Sequence, residues 1–94
     1  MKIVELIWLE DIIDKLVREH GVEGHEVKEV LASRPQFRFI EKGHRKEKNV
    51  YSALGQTASG RYLVVFFVYK KDKRALILSA REMTKSERRL YEQR

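Results

Sequence analysis

The chain has 94 residues, no cysteine and a formal net charge of +6 at pH 7. This length predicts a single domain over residues 1–94, and the lack of cysteine excludes disulfides and thiolate metal sites. The longest apolar run, Tyr62 to Tyr69, is too short for a membrane-spanning helix and no signal peptide is visible, so we expect a cytoplasmic protein with no membrane partner.

The charge is divided unevenly along the chain. Residues 1–33 have four lysines and arginines against eight aspartates and glutamates, a net charge of −4. Residues 34–94 have sixteen against six, a net charge of +10. This asymmetry is typical of a C-terminal part that binds a polyanion or an acidic protein, and the alternative is a solvated surface on which charges merely cluster.

The N-terminal third predicts one strand and two helices. The short apolar run from Ile3 to Trp8 is typical of a strand, with Trp8 as a core anchor. Apolar residues at helical spacing from Leu9 to Val17 predict a helix that ends at His20-Gly21. Val22 to Ser33 predicts a second helix, which Pro35 stops, so the two form a helical hairpin.

The rest of the chain predicts four strands and a last helix. The strands are expected at Gln36 to Ile40, Val50 to Gln56, Arg61 to Tyr69 and Arg74 to Ala80. The third of these is almost entirely apolar and should be central in the sheet, covered on both faces. Thr84 and Glu87 match a capping box that begins the last helix.

Strands and helices that are grouped in this way indicate an α+β fold. We expect an antiparallel sheet with an N-terminal helical hairpin and a C-terminal helix, the helices packed on one face. The other face is then expected to present the arginines of the strands. These are Arg38, Arg61, Arg74 and Arg81. Gly55 and Gly60 are interpreted as flanking a hairpin turn.

The chemistry that these residue types allow is RNA cleavage without a metal or another cofactor. It requires a base for the ribose 2′-hydroxyl, cations for the charge that develops on phosphate, and an acid for the leaving oxygen. Arg61, Arg74 and Arg81 are the candidate cations, and His44, Glu47 and Tyr91 are open alternatives for proton transfer. Contacts to the RNA backbone are expected from further basic residues. These are Arg38, Arg45, Lys46, Lys48 and Arg74.

Structural interpretations stand beside these functional ones. Tyr91 suits a residue that packs the last helix onto the sheet. The three histidines lack the spacing of a metal site, so no metal is predicted. A module that binds RNA or protein without turnover, and an unrelated α+β domain, remain alternatives at this point.

The order of several motifs resembles the BrnT-type toxin family. Trp8 stands twelve residues before His20-Gly21-Val22, and Gly55-Gln56-Thr57 is followed by the run Gly60 to Phe66, as in the family's central hairpin. Ser79-Ala80-Arg81, followed by Glu87-Arg88 and Tyr91, is similar to the family's last strand and helix.

This resemblance implies a RelE-like fold and a metal-independent ribonuclease toxin of a type II toxin–antitoxin pair. It also implies a hetero-oligomer with a cognate antitoxin that carries a DNA-binding domain. Arg61, Arg81 and Tyr91 match motif positions. The chain departs from the family at Leu9 and Ile12. It also departs at Val50 and Leu76, and at these two positions many members have arginines. Arg74, two residues before Leu76, is expected to point to the same face as Leu76.

Overall fold

The computed structural model describes residues 1–41 and 49–93, which contain five strands and three helices in the predicted order. In chain order they are β1 (Glu5–Trp8), α1 (Ile12–His20), α2 (Gly24–Ala32), β2 (Gln36–Glu41), β3 (Val50–Gln56), β4 (Tyr62–Tyr69), β5 (Arg74–Glu82) and α3 (Lys85–Glu92). The fold class predicted from the sequence is therefore confirmed. None of the helices in this described part of the chain has the length and apolar character needed to cross a bilayer.

The five strands form one mixed sheet in the order β1-β5-β4-β3-β2. Strands β2 to β5 are an antiparallel meander, whereas β1 pairs with β5 in parallel, with Glu5 beside Arg74 and Trp8 beside Ile77. The expectation of a wholly antiparallel sheet is corrected at this edge. The helical hairpin carries the chain from β1 to the far edge, and a meander of four strands from there ends parallel to β1.

The main core lies between the sheet and the helical hairpin. Ile12 and Leu16 of α1 are buried against sheet residues such as Phe67 and Ile77. Trp8 packs against this cluster, as predicted. β4 is the middle strand, and side chains on both of its faces are buried, which confirms its predicted central position.

The first helix begins later than its apolar pattern predicts. Leu9 to Asp11 form a turn in which the Ile12 N–H donates to the Leu9 carbonyl at 3.2 Å. Leu9, Ile13 and Val17 are 51%, 45% and 46% exposed, so three of the five apolar residues in this pattern face solvent. Gly21 ends α1 as expected, with a left-handed φ of 62° that glycine adopts without strain.

Gly55 lies near the end of β3 and flanks the hairpin turn as predicted, but the turn is not the reason for a glycine here. A Cβ at this position would stand 2.8 Å from Ser33 Oγ and 3.1 Å from Val30 Cγ1. The absence of a side chain therefore allows the C-terminal end of α2 to approach the sheet closely.

α3 packs on the opposite face of the sheet from α1 and α2, contrary to the expectation that all helices share one face. Its Tyr91 packs on Leu54 and Val64, in a cluster separate from the main core. Because side chains alternate along a strand, these residues face away from Ala53 and Val65, which belong to the main core. We call this second surface the α3 face.

Candidate active site

A β-bulge determines which side chains of β5 lie on the α3 face. The pairing with β4 shifts by one residue, from Phe66 opposite Ser79 to Phe67 opposite Ile77, so that Leu78 is the extra residue. Arg81, opposite Val64, and Leu76, opposite Val68, consequently point to the same face although five positions separate them.

Arg81 is held on the α3 face by Glu87 of α3. Its Nη1 and Nη2 donate to the two carboxylate oxygens of Glu87 at 2.7 and 2.9 Å. Nη1 also donates to the Glu82 carbonyl at 3.1 Å, and the guanidinium lies 5.3 Å from the centre of the Phe66 ring. Paired contacts of this kind fix both the position and the plane of the guanidinium.

Glu87 connects this arginine to the start of α3. Its Oε1 accepts a hydrogen bond from the Thr84 N–H at 2.8 Å, and Thr84 Oγ1 accepts one from the Glu87 N–H at 3.2 Å. The predicted capping box is therefore confirmed. One carboxylate thus caps the helix and orients Arg81.

The electrostatics of the pair favour the charged forms. Hydrogen bonds from Arg81 are the main reason that the pKa of Glu87 lies below its ordinary value, although burial opposes them. The same hydrogen bonds raise the pKa of Arg81. Glu87 is consequently a weak base and suits an orienting role.

Arg81 keeps donors for a further anion. A guanidinium has five N–H groups, of which the contacts to Glu87 and Glu82 use three. The Nε hydrogen and one Nη2 hydrogen have no acceptor within residues 1–41 and 49–93, and the side chain is 35% exposed. The arginine is therefore fixed by one carboxylate and still open to a phosphate oxygen.

Arg61 lies on the other face, so the expectation that one surface carries all four strand arginines is corrected. Its Nη1 is 2.8 Å from each carboxylate oxygen of Glu26 in α2 and donates to the Gly21 carbonyl at 3.0 Å. Nη2 is 3.8 Å from Glu82. The residue fastens the turn between α1 and α2 to the start of β4.

The carboxylate of Glu26 is nearly enclosed, with 10% of its side chain exposed. Burial alone would raise its pKa, but hydrogen bonds from the Glu23 N–H and from Arg61 outweigh burial, and the pKa is lowered. Glu26 is the partner of a predicted site residue, and the sequence did not lead us to it. It lies between the buried Val22, which precedes α2, and the buried Val30 of α2, and an acid among buried positions signals a cationic partner.

Tyr91 is 6% exposed, and its ring meets that of Tyr62 edge-on at 6.0 Å. It packs α3 onto the sheet, as its structural interpretation predicted. The Arg88 guanidinium lies 3.9 Å from the centre of the Tyr62 ring and covers this contact from outside.

Two further predicted RNA contacts share the α3 face with Arg81. Arg38 is exposed, stands opposite Ser52 and forms no ion pair with a residue that the structure describes. Arg74 forms an ion pair with Asp72 at 2.7 Å. Between them runs an apolar row of Val50, Val68 and Leu76, which are neighbours on adjacent strands.

The remaining predicted residues lie outside the described parts of the chain. These are His44, Arg45, Lys46, Glu47 and Lys48. Within the described parts, no group of three histidines, aspartates or glutamates is arranged to hold a metal ion.

Comparisons with known proteins identify the family and the fold. The family model described as the ribonuclease toxin BrnT of type II toxin–antitoxin systems matches residues 8–87. The crystal structure of the Brucella abortus ribonuclease toxin BrnT is similar, with a TM-score of 0.61 and 14% identity over 87% of this chain and 99% of that chain. At this identity the likeness concerns the fold. A search of curated proteins finds no match.

Proposed function

Because the chain belongs to the BrnT family, the ribonuclease toxins of type II toxin–antitoxin systems, we propose that its α3 face is the surface that binds and cleaves RNA. The chain is thus a ribonuclease whose partners are its RNA target and an antitoxin. The observation that carries the proposed location is that Glu87 fixes the guanidinium of Arg81, while the side chain remains 35% exposed and two of its N–H groups have no acceptor among the described residues.

In this proposal Arg81 stabilises the charge that develops on the scissile phosphate. Glu87 holds the guanidinium in place before substrate arrives, so little reorganisation accompanies the reaction. Arg38 and Arg74, on the same face, add attraction for the neighbouring phosphates of the RNA backbone. Arg45, Lys46 and Lys48 remain further candidates for this role.

In this proposal His44 and Glu47, which follow β2 in the sequence, share the proton transfer. One takes the proton of the ribose 2′-hydroxyl and the other protonates the leaving oxygen, so no metal is needed. Tyr91 and Arg61 act in this proposal as positioning residues, because both are engaged in packing or ion pairing inside the fold.

The resemblance to the family supports three further proposals. Residues 1–94 act as one domain, the protein works in the cytoplasm, and its antitoxin carries a DNA-binding domain. Binding of the toxin–antitoxin complex to the promoter of its own operon, measured by gel shift, tests the last of these.

The test of the site is RNA cleavage in EDTA by the wild type, Arg81→Ala and Arg18→Ala. Arg18 is the matched control, since it is an arginine of α1 whose side chain is 72% exposed. We expect Arg81→Ala to slow cleavage by roughly 10²–10³-fold, as for removal of one oxyanion donor, and Arg18→Ala to cleave at the wild-type rate.

Circular dichroism establishes that Arg81→Ala is folded, and Arg81→Lys shows whether charge alone suffices. Cleavage by folded Arg81→Ala at the wild-type rate would reject the proposed site. Cleavage by the wild type that stops in EDTA would reject the metal-independent mechanism.

A further inference from the structure

The outer strand β2 presents an unpaired edge with large apolar side chains. It is last in the sheet and pairs with β3 on one side only, and no other described segment continues the ladder. Phe39 and Ile40 are 55% and 47% exposed. An exposed apolar edge strand is a template for another strand, and proteins normally protect such edges.

The two faces of this edge differ in chemistry. On the face of the helical hairpin, the Phe39 ring meets Tyr51 edge-on at 5.5 Å, and Phe37 meets Phe67 at 6.0 Å. On the α3 face, the exposed Arg38 forms no ion pair with a described residue. The edge therefore presents the aromatic rings of Phe37 and Phe39 on the face of the helical hairpin and the cation of Arg38 on the α3 face.

We propose that the antitoxin binds here, by adding an extended segment to the outer edge of β2. Side chains of a strand alternate between faces, so the segment places apolar residues beside Phe37 and Phe39 and a carboxylate beside Arg38. The main chain supplies hydrogen bonds and the alternating side chains supply specificity. This inference rests on the proposed function only in taking the antitoxin as the source of the segment.

The chemistry of the edge favours a polypeptide over RNA. A polypeptide satisfies the unpaired N–H and C=O groups of β2 in register, which a nucleotide chain does not. The exposed Phe39 ring offers a surface for one base, but the neighbouring Ile40 is aliphatic and does not extend it for a second base. The basic excess of residues 34–94 then favours an acidic segment through charge complementarity.

A second exposed apolar surface provides the internal control. Ile13 and Val17 of α1 and Leu9 in the turn before it are exposed, with Glu10 and Asp14 close by in the sequence. The backbone N–H and C=O groups of α1 are hydrogen-bonded within the helix. This surface therefore offers side-chain contacts but no unpaired backbone groups to which a strand could bind.

The experiment uses the full chain and the protein encoded by the adjacent reading frame, with binding measured by calorimetry. We expect Phe39→Ser and Arg38→Glu each to weaken binding by at least about tenfold, as for a central interface residue. Ile13→Ser, at an apolar residue that is 45% exposed, should bind as the wild type does. Amide hydrogen exchange of the wild-type complex should show new protection at residues 37–40.

Three results would overturn the inference. They are unchanged binding by Phe39→Ser and Arg38→Glu, loss of binding by Ile13→Ser, and unprotected β2 amides in the complex. Protection of β2 in the isolated chain that varies with its concentration would assign the edge to a second copy instead. Weaker RNA binding by Phe39→Ser with unchanged antitoxin binding would assign it to RNA.

The outcome is separable from that of the proposed function. Phe39→Ser should still cleave RNA, because Phe39 lies on the face opposite Arg81. If the antitoxin binds without protecting the β2 amides and RNA is still cleaved, the binding site proposed here is rejected but the proposed function is not. A wild-type chain that neither cleaves RNA nor binds the adjacent protein rejects both.

Discussion

Replacement of Arg61 by alanine tests whether this arginine stabilises the fold or acts on RNA. The variant leaves the Glu26 carboxylate, 10% exposed, without its cationic partner. Removing one member of a buried pair costs about 3–5 kcal/mol. Because the Arg61 side chain is 32% exposed, solvent offsets part of this cost, and we expect a loss of about 2–3 kcal/mol.

For a domain of this size each kcal/mol corresponds to about 4–8 °C, so the melting temperature of Arg61→Ala should fall by roughly 10–20 °C. The double variant Arg61→Ala/Glu26→Gln also removes the unpaired negative charge of Glu26. It should recover most of the loss and remain within about 1 kcal/mol of the wild type, since a neutral amide is far cheaper to bury than a carboxylate.

The assay is a double-mutant cycle at pH 7, in which urea unfolding gives the free energy of unfolding of the wild type, both single variants and the double variant. RNA cleavage is measured in parallel at a temperature at which all four are folded. The double variant should cleave RNA at a rate close to that of the wild type. Wild-type stability of Arg61→Ala, or a stable double variant with a rate about a hundredfold lower, would refute the structural assignment.

Three other predictions follow from the contacts described above. Gly55→Ala should destabilise the protein by about 1–3 kcal/mol in urea unfolding, because its Cβ meets Ser33 Oγ, which itself donates to the Val30 carbonyl at 2.6 Å. The pKa of Glu87 is lowered on folding, so its contribution to stability is present above its ordinary value of 4.5 and is lost as pH falls through the lower native value. Unfolding free energies of Glu87→Gln should accordingly fall less steeply than those of the wild type below about pH 5, and parallel curves would contradict the role of this carboxylate. Leu76→Arg places a cation on the same face as Arg81 and should raise the initial rate of RNA cleavage, whereas an unchanged or lower rate would argue against that face as the reaction surface.

The elements of the fold were predictable because their signals are local. β3 has the predicted bounds, since the charged segment before it and the turn residues after it mark both of its ends. The capping box at Thr84 depends on two residues three positions apart and was confirmed. Family membership was also readable from the order of motifs along the chain.

The side of the sheet on which each arginine lies was not predictable in this way. β4 is apolar on both faces, so its pattern contains no indication of which face meets the helical hairpin. Arg61 was therefore placed with Arg81, although the hydrogen bonds to Glu26 hold it on the opposite face. Glu26 was missed because its partner is 35 positions away.

By itself, then, the sequence determined the order of strands and helices, the ends marked by Gly21 and Thr84, and the family. Tertiary structure alone decided the parallel pairing of β1, the close approach at Gly55 and the bulge at Leu78 that turns Arg81 toward the α3 face. The physical reason is the distance along the sequence over which each interaction acts. Periodicity and capping act within a few residues, whereas strand register and ion pairing join groups that meet only when the whole sheet has formed.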